Sequence, residues 1–209
     1  MKLNLKIVVD TLKSSWEYLF PYKKITSKFN KIKSEKDLQN FIQERSAHVT
    51  QTTLYGYLKT RMGHKFTLMV ADDEFSKSIN IAKWNIYVVA ISDLTIYTFS
   101  YLANKKNLKK RNVEEIFNNI IDGELKNGLD KKISEDAKKK FSFKIANVDL
   151  DSYFTKEPFK ESGLALYNWS PIADELKILD KDIVLNSIKL KWNLVKNEFQ
   201  DLTKDLNFN

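Results

Sequence analysis

Only 5 Gly and 3 Pro punctuate these 209 residues, and that scarcity of chain breakers is the strongest constraint on the fold. A chain of short strands needs frequent tight turns, and glycine and proline supply the backbone angles those turns require. Long breaker-free stretches favour helices instead. Hydrophobic residues make up 43% of the chain, enough to bury a real core at this length. The expectation is an all-α fold. A single helical bundle of about five to seven helices should occupy residues 34–209, preceded by a basic, amphipathic arm over 1–33. No repeat and no internal domain boundary is visible.

Residues 3–20 read as an amphipathic helix. At 100° per residue Leu5, Val8, Val9, Leu12, Trp16, Leu19 and Phe20 fall within one arc of roughly 120°. Phe20-Pro21 ends it, because the residue before proline is pushed out of the α region. Ser34 with Glu35 and Asp37 marks a helix start, and residues 35–62 then run without a breaker except Gly56. The segment 64–75 is either a short helix or an extended connection. Phe75 to Ala103 is apolar nearly all round, which predicts a central helix. Two shorter helices should follow, one stopping near Gly128 and one over 133–146. Residues 148–167 read as irregular, and Ser170-Pro171 as the cap of a short helix. The last helix carries a stripe of Val184, Ile188, Val195, Phe199 and Leu202, edged by Leu185 and Trp192.

The stretch Trp84 to Asn104 has the length of a membrane span. Asp93 near its middle would cost ~2.5–3.5 kcal/mol to place at a bilayer centre, so a buried helix of a soluble protein is the better reading. The N-terminus shows no compact apolar run followed by a small-residue cleavage site, so no signal peptide is expected.

The polar string in 43–63 is the chief candidate for a site. Glu44, Arg45, His48, Gln51, Thr52 and Tyr55 stand where a plain core helix would alternate apolar and charged residues. Arg45 and Asp93 each fall on an apolar surface, and leaving either buried and unpaired would be prohibitive. A pair between Asp93 and Arg45 or Arg61 would satisfy both. Arginine is rare here, at three of 35 basic residues, and its planar fork suits a partly buried carboxylate. The network is either a structural ion pair or the lining of a polar pocket.

Catalytic signatures are missing. There is no cysteine, and only His48 and His64 could offer imidazole, neither in a metal-binding spacing. No G-x-S-x-G elbow and no phosphate loop occurs. No cofactor and no metal is therefore expected.

Charge is uneven: residues 1–33 carry +6, 34–103 are neutral, 104–147 carry +5 and 148–209 carry −3. The cluster Lys105, Lys106, Lys109, Lys110 and Arg111 is a solvated loop on the plain reading, with anionic lipid or RNA as functional alternatives. No aromatic residues interleave with it, which argues against nucleic acid.

Three strings carry a resemblance: "ERSAHVTQTTLYGYLKTRMG" (44–63), "SINIAKWNIYVVAISDLTIY" (78–97) and "WSPIADELKILDKDIVLNSIKLKW" (169–192). Together they make most of residues 34–195 resemble a family of all-helical bacterial proteins without an established mechanism. Some of those relatives carry a loose esterase label. The resemblance implies a bacterial, intracellular, helical protein whose polar segment belongs to its central helix pair.

The leading expectation is a non-enzymatic interaction or assembly protein of the bacterial cytoplasm with an unidentified protein partner. Residues 3–20 would either dock on the bundle or touch the anionic surface of the inner membrane. The alternatives are an esterase-like hydrolase or small-molecule-binding bundle with a pocket near Arg45 and Asp93, and, more weakly, an RNA- or ribosome-associated protein. Oligomeric state is left open by the sequence.

Overall fold

A computed structural model describes residues 31–106 and 113–206, and over these residues the chain is all helical, with no strand. The expected helix over 3–20 and the basic residues Lys109, Lys110 and Arg111 lie outside the described residues, as does the side chain of Lys106. Lys105 is exposed, its ammonium 5.9 Å from the Phe154 ring centroid.

The first described helix, α1 (Glu35–Met62), begins with a reciprocal cap. Asp37 N–H donates to Ser34 Oγ at 3.1 Å, and Ser34 N–H donates to Asp37 Oδ2 at 2.9 Å. Two of the amides that a helix start leaves without partners are satisfied in this way. Gly63 ends α1. The next segment is helical rather than extended: a 3-10 turn over Gly63–Lys65 runs into α2 (Phe66–Val70). Asp72 then accepts from Phe75 N–H at 2.8 Å and opens α3 (Asp73–Lys106), with Asp73 and Glu74 at the positive end of the helix dipole.

Helix α4 (Val113–Leu125) gives way to a turn in which Gly128 takes φ +95°, a conformation that favours glycine. Asp130 caps α5 (Lys131–Asn147) by accepting from Lys132 and Ile133 N–H. A 3-10 turn at Tyr153–Thr155 leads to α6 (Lys160–Trp169) and then to α7 (Asp174–Leu202).

Two local expectations need correction. Residues 160–169 are helical, although Gly163 suggested a break. A Cβ there would sit 3.2 Å from Leu185 Cδ2 and 3.5 Å from Ile188 Cγ2, so the glycine permits α6 and α7 to approach closely. Ser170-Pro171 does not cap a helix start. Ser170 Oγ turns back to the Leu166 carbonyl at 2.6 Å and closes α6, while α7 begins at Asp174 as one long helix.

As expected from its composition, α3 is central: α1, α2, α4, α5 and α6 all pack on it, and 78% of its most apolar 18-residue window is buried. Helix α7 is peripheral and rests chiefly on α6 and α1. Its inner face presents Val184, Ile188, Trp192, Val195 and Phe199. Trp192 stacks on Phe159 with ring centroids 4.3 Å apart, and Phe199 meets Phe41, Tyr97 and Tyr101. Where description of the chain begins, it is tied to the end of α7: Lys31 pairs with Asp205 at 2.6 Å, and Ile32 N–H donates to the Leu202 carbonyl.

Candidate functional site

Of the charged residues singled out in the sequence, Arg45 and Asp93 are buried, Glu44 is half-buried and Arg61 is exposed, and they do not form one network. Arg45 reaches α7, where Nε and Nη2 hold the two carboxylate oxygens of Glu198 at 2.6 and 2.5 Å. Arg61, four turns along the same helix, grips both oxygens of Asp180, which also accepts from Tyr57 Oη at 2.9 Å. The expected pair between Asp93 and Arg45 or Arg61 is therefore not made. The helical wheel explains why. Tyr87, whose hydroxyl oxygen lies 3.2 Å from the Gln43 carbonyl of α1, marks the side of α3 that faces α1. Asp93 lies about 240° further round at 100° per residue, toward α5 and α6.

There Asp93 is fully buried and surrounded by donors. Oδ2 accepts from the N–H and the hydroxyl of Ser162 at 2.8 and 2.5 Å, and Oδ1 from Lys144 Nζ at 2.6 Å; Tyr153 Oη lies 3.3 Å from Oδ1 and donates to the Pro158 carbonyl at 2.6 Å. Ser162 is the third residue of α6, a helix whose own N-cap, Phe159, offers no capping side chain. Asp93 thus caps α6 from another helix, placing a negative charge at the positive end of the dipole. Burial raises the Asp93 carboxyl above its ordinary range, against the downward pull of Lys144 and Ser162. Burial also works against the Lys144 ammonium, but Asp93 and Glu161 outweigh it and hold that charge above its ordinary pKa.

A second buried carboxylate escaped the sequence reading. Glu124 accepts from Tyr87 Oη and Asn127 Nδ2, each at 2.8 Å, and from Gln43 Nε2. Lys83, only 3% exposed, lies with its ammonium 4.2 Å from the Trp84 ring centroid. Burial lowers its pKa to about 8, against a raising pull from Glu124.

Thr52 Oγ1 donates to the His48 carbonyl one turn back, at 2.8 Å. The Tyr55 ring meets Phe66 edge-on, and burial raises its hydroxyl pKa. Burial, with Arg45 and Lys191, lowers the His48 pKa and keeps the imidazole neutral. Its Nδ1, both amide atoms of Gln51 and the hydroxyls of Ser46 and Thr50 are buried without a protein partner among the described residues. Glu44 is half-buried beside them, near enough to Tyr87 to raise that phenol's pKa.

Some of the missed residues did carry a signal. Asp180 and Glu124 each continue an apolar helical stripe, Asp180-Val184-Ile188 and Phe117-Ile120-Glu124, so burial of both was legible. Lys144 sits in a lysine-rich helix and looked like any solvated lysine.

Besides a cleft of about 430 Å3 between α6 and α7, bordered by Leu164, Asn186, Lys189 and Trp192, two surfaces are open to a ligand or partner. A groove of about 1070 Å3 between α3 and α5 is lined by Ile81, Val88, Phe141, Phe143 and Trp169, and also borders Lys144, Tyr153 and Glu161. The other is the outer side of α7, where Leu176, Leu179, Ile183, Leu190 and Leu194 stand 40%, 74%, 70%, 66% and 65% exposed. At 100° per residue these five lie within roughly 60° of arc. The spacing of the first four, three, four and seven residues, matches the seam of a helix that pairs with another helix, with Leu194 beside it. No protein-family model, curated protein or solved structure matches the chain.

Proposed function

We propose that this is a non-enzymatic interaction or assembly protein, and that the outer side of α7 is its docking face. The exposed heptad stripe on that helix carries the reading. A helix at the periphery of a bundle needs one apolar face, and α7 has two, separated by charged flanks. Contiguous aliphatic surface of this kind is costly in water and marks a contact to be made. Several of the buried charges support the same reading: among the described residues Arg45, Asp180 and Asp93 are each held in a pair or cap that organises the bundle. Ser162, whose hydroxyl meets the buried Asp93 carboxylate, is itself fully buried and gives its proton to Asp93, which fits the esterase-like alternative poorly. We place the protein in the cytoplasm, with the inner-membrane surface as a second contact through residues 3–20.

The α3–α5 groove supports one other reading, a binding site for a small apolar molecule with a charged end. Its aromatic walls and the Lys144–Glu161 pair favour it.

Site-specific photocrosslinking in the producing cells separates these. A photoreactive residue at position 190 should give discrete protein adducts, whereas one at the exposed Lys139 of α5 should give none. Equal labelling at both positions, or none at either, contradicts the docking face.

A further inference from the structure

Resting on the reading of α7 as the docking face, we infer that the occupant of that face is α7 of a second copy, laid antiparallel. The heptad places Leu176, Ile183 and Leu190 at one core position, and Leu179, Asn186 and Asn193 at the other. Charge along one flank of the stripe changes sign. Glu175 and Asp182 occupy its N-terminal half and Lys189 and Lys196 its C-terminal half, each at the same heptad position.

That polarity distinguishes the possible arrangements. A parallel pair would set like charges at the same level and leave Asp182 beside a serine. An antiparallel pair centred between residues 184 and 185 brings Asp182 to the partner's Lys189 and Glu175 to the partner's Lys196, twice each by symmetry. The same register lays Leu190 on the partner's Leu179 and Ile183 beside the partner's Asn186. A polar residue in such a seam fixes register at some cost in stability.

The size is adequate. The five exposed aliphatics offer on the order of 600 Å2 per copy, and the charged flanks bring this near the ~800 Å2 per partner of a stable interface. The two-fold arrangement is self-complementary in shape and charge, as a closed dimer requires.

The test uses the full chain in sedimentation equilibrium from about 1 to 100 μM at low salt, with helicity checked by circular dichroism. Wild type should be a dimer. Ile183→Glu should weaken it more than about a hundredfold, because each copy would bury an unpaired charge. Asp182→Lys alone and Lys189→Asp alone should each weaken it about five- to tenfold, and the two together should restore it to within about threefold. Ile183 is 70% exposed in the single chain, so its replacement leaves the fold intact.

A monomer throughout the range overturns the inference, as does a dimer indifferent to Ile183→Glu, or charge reversals that fail to rescue each other. If the chain is monomeric while position 190 crosslinks to a different protein, self-pairing fails and the docking face stands. If position 190 crosslinks only to residues 3–20 of its own chain, both readings fall.

Discussion

Helices α3 and α7 are the two longest described, at 34 and 29 residues, and they solve opposite problems. Helix α3 is apolar nearly all round and is enclosed by five neighbours, so its few polar groups must find partners inside the protein. Asp93 finds Lys144 and Ser162. Helix α7 is apolar on two separated faces, but its main contacts, α6 and α1, lie on one side. Its polar groups are easily satisfied, and its second apolar face is left for something outside. Burial of charge therefore marks structure in α3, whereas the exposed aliphatics of α7 are what the proposed docking face rests on.

The hardest test of that contrast is Asp93→Ala. It removes the cap of α6 and leaves Lys144 half-buried beside Glu161. A loss of ~3–5 kcal/mol is expected, as for other broken buried pairs, read as a lower urea midpoint. A change below ~1 kcal/mol would show that the carboxylate is not organising α6.

Inner and outer faces of α7 can be compared in one experiment. Ile188→Ala should cost ~2–5 kcal/mol, because it empties a core site 2% exposed. Leu190→Ala, two residues on, should stay within ~0.5 kcal/mol at protein concentrations below those that dimerise. Equal losses would mean that the outer face is already packed within one chain.

A third test uses pH and returns to α3. The folded Lys83 has a pKa of about 8, below the 10.5 of an ordinary lysine. Between those values the unfolded chain binds more protons than the folded one, so stability rises as pH rises. From pH 7.5 to 9.5 the gain should be about 2 kcal/mol, measured by urea unfolding at each pH, and absent in Lys83→Met. Above pH 10 the buried tyrosines reverse the trend, because burial holds Tyr87 and Tyr153 protonated in the folded state. A flat profile in wild type would contradict the burial of a lysine against Trp84.

Much of the bundle is legible in the sequence. Ser34-x-x-Asp37 announced the start of α1, the unbroken apolar run of 75–103 announced a central helix, and the Val184–Phe199 stripe announced the inner face of α7. The errors arose where one residue type serves two purposes. Gly163 stood for a chain break and is in fact a close helix contact, which only the position of Leu185 reveals. Asp93 was correctly read as buried and in need of a cation. Its partner was misjudged because a sequence shows which residues share a helix face, not which neighbouring helix that face meets. The rarity of arginine pointed to Arg45 and Arg61, and both do hold carboxylates in fork geometry, on α7 instead of α3. The outer stripe of α7 went unread because the inner stripe had already accounted for an amphipathic helix.

The most direct measurement of the α7 pairing is a distance between copies. The chain has no cysteine, so Asn197→Cys provides a single site for a nitroxide label, and the dipolar coupling between two copies reports their separation. At a rise of 1.5 Å per residue, antiparallel helices centred between 184 and 185 place the two labels roughly 40 Å apart. A distribution centred there supports the self-paired face. A separation below ~20 Å, as side-by-side parallel helices would give, or no coupling at all, contradicts it.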